Sequence, residues 1–302
     1  MQRIKCALCG SEKYCLLLQA KDYRLHTTEQ VFDLVGCLRC GMVYLNPRPD
    51  EEELAKFYPT SFYAKPTLMS KFLSDLLYRS KLREVGHFKK AGRILDVGCG
   101  EGGLLFAFKA RGWETFGVDT SKIAAGLTGK KIGERYTFNC ELKDCHFPDD
   151  YFDVVTLNHV FEHVIYPNEE LEEIARILKN DGVLLLSVPN IESFQFKICR
   201  EKWVHLDIPR HLFHYSPVTI KAMLQKNGFD VVYVAFPLSD FPLDFYRSLR
   251  SMAKPSKTLL MLDPFLLPTS LALKMIPDFR GTLKVAAKKA KNTSSTGGLR
   301  TR

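Results

Sequence analysis

Ile94-Leu95-Asp96-Val97-Gly98-Cys99-Gly100-Glu101-Gly102-Gly103 is the stretch that decides how this chain folds. Its first four residues read as a buried strand, its glycines as a tight turn, and residues 104–110 as the helix that follows. A second strand, 115–118, ends at Asp119, 21 residues after Gly98. An acid at that separation suits hydrogen bonding to the two hydroxyls of a ribose. Gly98, Gly100 and Gly103 also satisfy GxGxxG, the pattern of dinucleotide-binding turns. Asp96 separates the two readings. It stands at the carboxyl end of the strand, where a dinucleotide places its pyrophosphate. A carboxylate there repels phosphate and favours a ligand bearing an ammonium group. S-adenosylmethionine has an ammonium and no phosphate. The glycines would let the backbone approach its methionine part, and Asp119 would hold its ribose. The plainer alternative for Asp96 is a buried, hydrogen-bonded structural carboxylate.

The order downstream extends the pattern. Residues 136–140 read as a third strand, 151–157 as a fourth, 168–178 as a helix and 182–188 as a fifth strand. Strands alternating with helices give an α/β fold with a doubly wound parallel sheet. Ligands in such sheets bind outside the carboxyl ends of the strands. That edge gathers Asp96, Asp119, Glu141 and residues 158–163.

The chain has 302 residues, 46% apolar and 25% charged, enough for one large or two smaller domains. This composition excludes a disordered chain, a collagen-like fibre and a small disulfide scaffold. Residues 1–10 hold no apolar run, so no secretory signal is expected and the location reads as cytoplasmic. Of the net charge of +9, seven cations lie beyond Asp278 with no acid among them, leaving +2 for the first 278 residues. The charge is therefore a solvated basic tail before it is a nucleic-acid surface, with weak attraction to acidic lipid or RNA as the other reading.

Cys6-Ala7-Leu8-Cys9-Gly10 and Cys37-Leu38-Arg39-Cys40-Gly41 are two CxxC-Gly knuckles 27 residues apart. Four thiolates so spaced can converge on one tetrahedral Zn²⁺ in a structural site. Apolar runs at 16–18 and 31–35 supply the short strands of a zinc ribbon. The spacing also admits an iron site, while disulfides do not suit a chain without a secretion signal. Cys15, Cys99, Cys140, Cys145 and Cys199 are scattered and read as small packed residues.

Between knuckles and glycine turn, Asn46-Pro47-Arg48-Pro49 is a turn and Asp50 caps a helix whose first turn is acidic. Residues 65–90 carry apolar side chains near helical spacing, as a linker helix packed on the next domain would. The division expected is a zinc ribbon at 1–45, a helical linker or cap at 46–90, and the α/β domain at 91–302.

Taken together, the run Leu95–Gly102 with Gly117-Val118-Asp119, Phe152-Asp153-Val154-Val155, Phe161-Glu162-His163-Val164 and Pro189-Asn190 resembles the class I methyltransferases that use S-adenosylmethionine. The knuckles, Asn46–Pro49, Phe57-Tyr58, and Trp203 with Asp207-Ile208-Pro209-Arg210-His211 and Tyr215-Ser216 are similar to its small-molecule branch with a zinc-binding N-terminus. That branch includes sugar C-methyltransferases, which continue into a further C-terminal domain that this chain is too short to hold. The resemblance implies a seven-stranded sheet with its last strand antiparallel, matched by 229–236 and 283–287. It implies that Gly98, Gly100 and Gly102 line the methionine end, Asp119 the ribose, and Glu141 and Leu142 the adenine edge. Asn158 and His159 would lie beside the methyl group, while Tyr58 and Tyr63 would cover the site and Arg210 contact the acceptor.

Because a sulfonium is already a strong methyl donor, catalysis asks mainly for positioning. A base is needed only where the acceptor must lose a proton. His211, His163, His159 and Glu162 are the candidates, with His211 favoured by its place after the fifth strand; His205 and His214 read as surface histidines. His159-Val160-Phe161-Glu162-His163 also fits the HxxEH pattern of inverted zinc proteases, but the close Pro167 denies it the long helix it needs. Quinone-type O-methyltransferases in the family carry a related acidic motif for a divalent metal, where this chain has His159.

An insertion of some 45 residues, at about 237–280, separates the sixth and seventh strands. Its apolar part, 259–276, is broken by Asp263, Pro264, Pro268 and Lys274, too interrupted for a spanning helix. Two short amphipathic helices over the substrate cleft are the plain reading. A membrane-surface hairpin through 256–277, which would make the protein peripheral to the membrane, is the sharper one. The expected partner is a small-molecule acceptor. The alternative, an RNA methyltransferase gripping RNA with the ribbon, is disfavoured by the few basic residues there.

Overall fold

The computed structural model describes residues 1–59, 68–238, 243–252 and 257–290, with side chains omitted at 68–76 and 257–264. The N-terminal part opens with β1 (Tyr14–Ala20), β2 (Phe32–Cys37) and β3 (Val43–Leu45), followed by α1 (Glu51–Ala55). Asp50 caps α1 as its sequence implies, accepting from Glu53 N while the Glu53 side chain returns a bond to the cap. The long helix α2 (Leu68–Phe88) then leads into the α/β part.

There the chain alternates as expected: β4 (Arg93–Val97), α3 (Gly103–Lys109), β5 (Glu114–Val118), α4 (Lys122–Ile132), β6 (Thr137–Phe138), β7 (Phe152–Asn158), α5 (Pro167–Ile177) and β8 (Leu178–Pro189). The rest is α6 (Phe194–Cys199), β9 (Phe213–His214), α7 (Pro217–Lys226), β10 (Phe229–Ala235), α8 (Asp244–Met252), α9 (Lys257–Leu273) and β11 (Thr282–Lys289).

Seven strands form one sheet in the order β10-β11-β8-β7-β4-β5-β6. Its parallel pairs are β4–β5, β4–β7, β5–β6 and β7–β8, whereas β11 runs antiparallel to both its neighbours. Ile94 and Leu95 in β4 and Val154, Val155 and Leu157 in β7 are wholly buried. Helices cover both faces of these central strands, which is why they read as near-continuous apolar runs. Full burial of each such side chain contributes about 1.5–3 kcal/mol.

The first three strands make a second sheet whose fourth strand is β9, contributed by the α/β part. Val43 and Tyr44 pair with His214 and Phe213. The Asn46–Pro49 turn fastens the same joint. Asn46 accepts from Ile4 N at 3.0 Å, and buried Arg48 donates to the Ile165 carbonyl at 2.6 Å.

Three expectations need correction. Residues 259–276 do not divide into two short helices; one helix, α9, runs through both prolines, and the second helix of the insertion, α8, precedes it. Cys140 and Cys145 are not independent packed thiols but a disulfide, and Cys15 is exposed. His205 and His214 are not surface residues; both are buried. Among the described residues, no helix is long and apolar enough to cross a membrane.

Candidate active site

The glycine turn begins where β4 ends. Gly98 N and Cys99 N both donate to the Val118 carbonyl, at 2.8 and 3.0 Å, which pulls the turn across the end of β5. Gly98 and Gly100 have φ of 66° and 55°, the left-handed region that favours glycine. A Cβ at Gly98 would strike Val160, whereas at Gly100 nothing lies within 4 Å. The turn is thus packed on one side and open on the other.

Two acids flank it. Asp119 accepts from Gly100 N at 2.9 Å and from Ser121 N at 2.8 Å. Burial raises its carboxyl above the usual range, against those two bonds. Asp96, on the adjacent strand, is buried and accepts from Thr156 Oγ1 and from Asn158 Nδ2, the latter at 3.2 Å. Burial raises its carboxyl to about 7, opposed by Thr156 and by the charge of Lys81. Both acids sit at the carboxyl edge, each with donors supplied by the fold.

Sequence reasoning missed Lys81. It projects from α2 and donates to Asn158 Oδ1 and, at 2.6 Å, to Ser187 Oγ, so it spans the ends of β7 and β8. A lysine among many on one helix carries no motif; only its position opposite Asp96 could have marked it. Farther along the edge, Leu142 is buried while Glu141 is exposed and pairs with Lys143 at 2.9 Å.

Beyond Asn158 the chain turns sharply at His159, whose φ is 55°. Here the structure brings together the histidines that the sequence scatters. Glu162 is fully buried, with Oε1 3.4 Å from His159 Nδ1 and 3.9 Å from His211 Nε2, yet neither oxygen has a hydrogen-bond partner among the described residues. His163 Nδ1 lies 2.9 Å from Tyr58 Oη and 3.0 Å from the Arg210 carbonyl. His211 Nδ1 donates to the His205 carbonyl at 2.8 Å. Burial lowers the pKa of His163, His205 and His211, and takes His214 to about 4, so these rings are neutral near pH 7. Glu162, His163 and His211 offer three ligand atoms within 4.8 Å of one another, a set able to accept a cation.

Arg210 is not available to an acceptor. It is wholly buried, bonding Asp22 through two nitrogens at 2.9 and 2.6 Å, Asp207 at 3.0 and 2.6 Å, and the Phe57 carbonyl at 3.1 Å. All its donors are spent, three of the bonds tying the N-terminal part to the α/β part and two held locally by Asp207. Tyr63 lies outside the described residues.

At the far end of the N-terminal sheet, the thiols of Cys6, Cys9, Cys37 and Cys40 lie within 4.8 Å of one another. Cys6–Cys40 and Cys9–Cys37 are each 3.5 Å apart. The first knuckle is anchored on the α/β part, since Asn168 and Lys226 both donate to the Ala7 carbonyl, at 3.0 and 2.9 Å. Four thiols at one point, with no other ligand type among them, fit a closed tetrahedral metal site.

A seven-stranded sheet of this order, with a glycine turn and two acids at its strand ends, defines the Rossmann-like class, in which ligands bind outside the carboxyl ends of the strands. Residues 69–234, more than half of the chain, match the methyltransferase domain family. The chain belongs to that family, and by fold and family it is a class I S-adenosylmethionine-dependent methyltransferase. A ubiquinone biosynthesis O-methyltransferase of Bradyrhizobium diazoefficiens is 32% identical over 166 residues, 53% of this chain and 66% of that one. This chain therefore spans about two thirds of that relative. An S-adenosylmethionine-dependent methyltransferase from Mesorhizobium loti superimposes with a TM-score of 0.50 at 17% identity, over 72% of this chain and 100% of that one. The [4+2]-cyclase SpnF does so equally well, at 0.50 and 19%, over 72% and 80%. At such identities the likeness carries the fold, and the chemistry has to be argued from the site.

Proposed function

We propose that this chain transfers the methyl group of S-adenosylmethionine to a small-molecule acceptor: a sugar, a glycan precursor, or a lipid-linked or quinone-like compound. The observation that carries this reading is the pair of buried carboxylates, Asp96 and Asp119, at adjacent strand ends beside a turn open at Gly100. In this assignment Gly98, Gly100 and Gly102 line the methionine end, and Asp96, through Asn158, faces its ammonium. Asp119 takes the ribose hydroxyls, with Glu141 and Leu142 at the adenine edge. When bound, the sulfonium supplies an activated methyl group that needs no further activation from the protein.

The chain's own work is then to orient the acceptor in line and to take its proton where one must leave. Such a base typically contributes 10²–10⁴-fold. Of the three histidines proposed, His159 is best placed: it directly follows Asn158, keeps 19% of its side chain exposed, and has Glu162 behind it. His163 and His211 are held by Tyr58, Arg210 and His205, and are assigned to shaping the wall. Cys6, Cys9, Cys37 and Cys40 hold one structural Zn²⁺ in this reading, closing the ribbon at 1–45, with 46–90 as the cover over the transfer domain at 91–302.

The test is calorimetric binding of S-adenosylhomocysteine, followed by incubation of the protein with radiolabelled S-adenosylmethionine and cell extract. Binding in the micromolar range with label in the small-molecule or lipid fraction is expected. Absence of binding would remove the assignment of the glycine turn, and label confined to nuclease-sensitive RNA would overturn the acceptor class.

A further inference from the structure

Helix α2 separates two cavities that lie outside the site just described. On one side is a cleft of about 1100 Å³ between α2, the edge strand β10 and the end of α9. Tyr233, Phe236, Leu238, Leu271 and Met275 line it. The apolar surface continues outward onto α9 and beyond its end, where Phe265 is 70% and Met275 62% exposed. On the other side is a cavity of about 450 Å³ whose polar lining is entirely cationic: Arg79, Arg83, Lys89, Lys90 and Arg111. Arg83 borders both.

Four of these five cations carry no ion pair among the described residues. Lys89 pairs with Asp181, but Arg79, Arg83, Lys90 and Arg111 have no carboxylate within 4 Å among the described residues. Among the described residues lining the apolar cleft, Glu84 is the one acid and is neutralised by Lys284 at 3.1 Å, while Arg280 donates to three backbone carbonyls. The charge of the face is therefore strongly positive immediately beside a groove of apolar side chains. A polynucleotide would use the cations and leave the groove wet. An acyl chain with a phosphate head would use both.

We infer that this face docks on an anionic phospholipid membrane, the cleft between α2, β10 and α9 taking acyl chains and the guanidiniums of α2 the phosphates. The docking stands on this surface alone; only its purpose, delivery of an acceptor from the lipid phase, rests on the function proposed above. A structural link joins the two regions. Lys274, at the cleft, donates to Asp244 at 2.8 Å, and Asp244 accepts from His205 at 3.1 Å, whose ring stacks on that of His159.

The experiment is flotation of the full chain with vesicles of phosphatidylcholine alone or mixed with phosphatidylglycerol, a readout independent of methyl transfer. Two double variants are compared, Arg83→Glu with Lys90→Glu and Leu271→Asp with Met275→Asp, all at exposed positions and with folding checked by circular dichroism. Binding to phosphatidylglycerol vesicles only, weakened about tenfold or more by each pair, is expected, since each cation near the surface contributes an appreciable share. No vesicle binding, or binding that neither pair weakens, overturns the proposal. Binding weakened by the charge pair alone overturns the acyl-chain groove. Lipid-independent dimerisation abolished by the aspartates would give the face to a second copy. Binding of single-stranded RNA without vesicles, lost only in the charge pair, would give it to nucleic acid.

Discussion

Arg210 and Glu162 are both fully buried, and His211 stands between them, its Nε2 3.7 Å from Asp207 and 3.9 Å from Glu162. Around Arg210 every donor is answered. Asp22 receives it from the N-terminal sheet and also accepts from Leu25 N and Thr27 N, each at 3.0 Å, while Asp207 receives it from the α/β part. Around Glu162, among the described residues, neither carboxylate oxygen is hydrogen-bonded, nor is either ring nitrogen of His214, nor the hydroxyl of Tyr215. Buried polar groups are almost always paired, so an exception calls for a ligand, a water or a catalytic role. The first centre is a clasp between two sheets. The second has the character of a site whose partners arrive from outside.

The largest effect is expected where that contrast is broken from the clasp side. Arg210→Ala leaves buried Asp22 without its cation and Asp207 with Arg24 alone, and should cost about 3–5 kcal/mol in urea denaturation. A loss below about 1 kcal/mol would mean that the clasp does not hold the sheets together. The pH dependence sharpens the point. Burial would raise the Asp22 carboxyl, but Arg210 and Thr27 hold it well below its ordinary 3.8. A depressed carboxyl contributes stability above its unfolded pKa that is lost as pH falls through the folded one. The intact protein should therefore lose stability below about pH 4, and Arg210→Ala should lose much of that slope.

At the strand ends a smaller effect is expected, read in binding rather than stability. Hydrogen bonds to a charged group contribute about 1.5–3 kcal/mol each. Asp119→Ala should accordingly weaken S-adenosylhomocysteine about ten- to hundredfold by calorimetry; unchanged affinity would remove Asp119 from the ribose. Asp96 sets a pH window. Its raised pKa of about 7 leaves it neutral below that value, while a free α-amino group loses its proton above about 7.7–8.0. Affinity should rise several-fold through pH 7 and fall again above about 8, and Asp96→Asn should erase the rising limb.

The parts written in local pattern were legible in the sequence. A strand, a glycine turn and a helix lie within twenty residues, and the acid after the second strand has a fixed spacing, so the sheet and the residues at its carboxyl edge followed from them. The four knuckle cysteines were legible for the same reason: their grouping at one point needs only two turns and two paired strands. What stayed hidden depends on contacts distant in sequence. Arg210 looked like a substrate contact because its partner Asp22 is 188 residues away. His205 and His214 looked ordinary because burial comes from elements on either side, and α8 supplies the Asp244 that His205 needs. The prolines of α9 suggested a break; packing on α8 evidently outweighs a helix-interior proline's local cost of about 3 kcal/mol.

The smallest expected effect is also the one that tests the contrast most directly. Glu162→Gln keeps the side chain's volume and removes a carboxyl group that receives no hydrogen bond from the described residues. Its amide can donate toward His159 Nδ1 and His211 Nε2, the nearest atoms to Oε1 at 3.4 and 3.9 Å. Stability should therefore change by less than about 1 kcal/mol, in either direction, against the several lost at Arg210. Methyl transfer to whatever acceptor the extract experiment reveals should nonetheless fall, because His159 loses the carboxylate that lies 3.4 Å from its Nδ1. A stability loss above about 2 kcal/mol would show that water or a cation pairs with Glu162 in solution. The two buried centres would then differ in where their partners come from, and no longer in whether they have them.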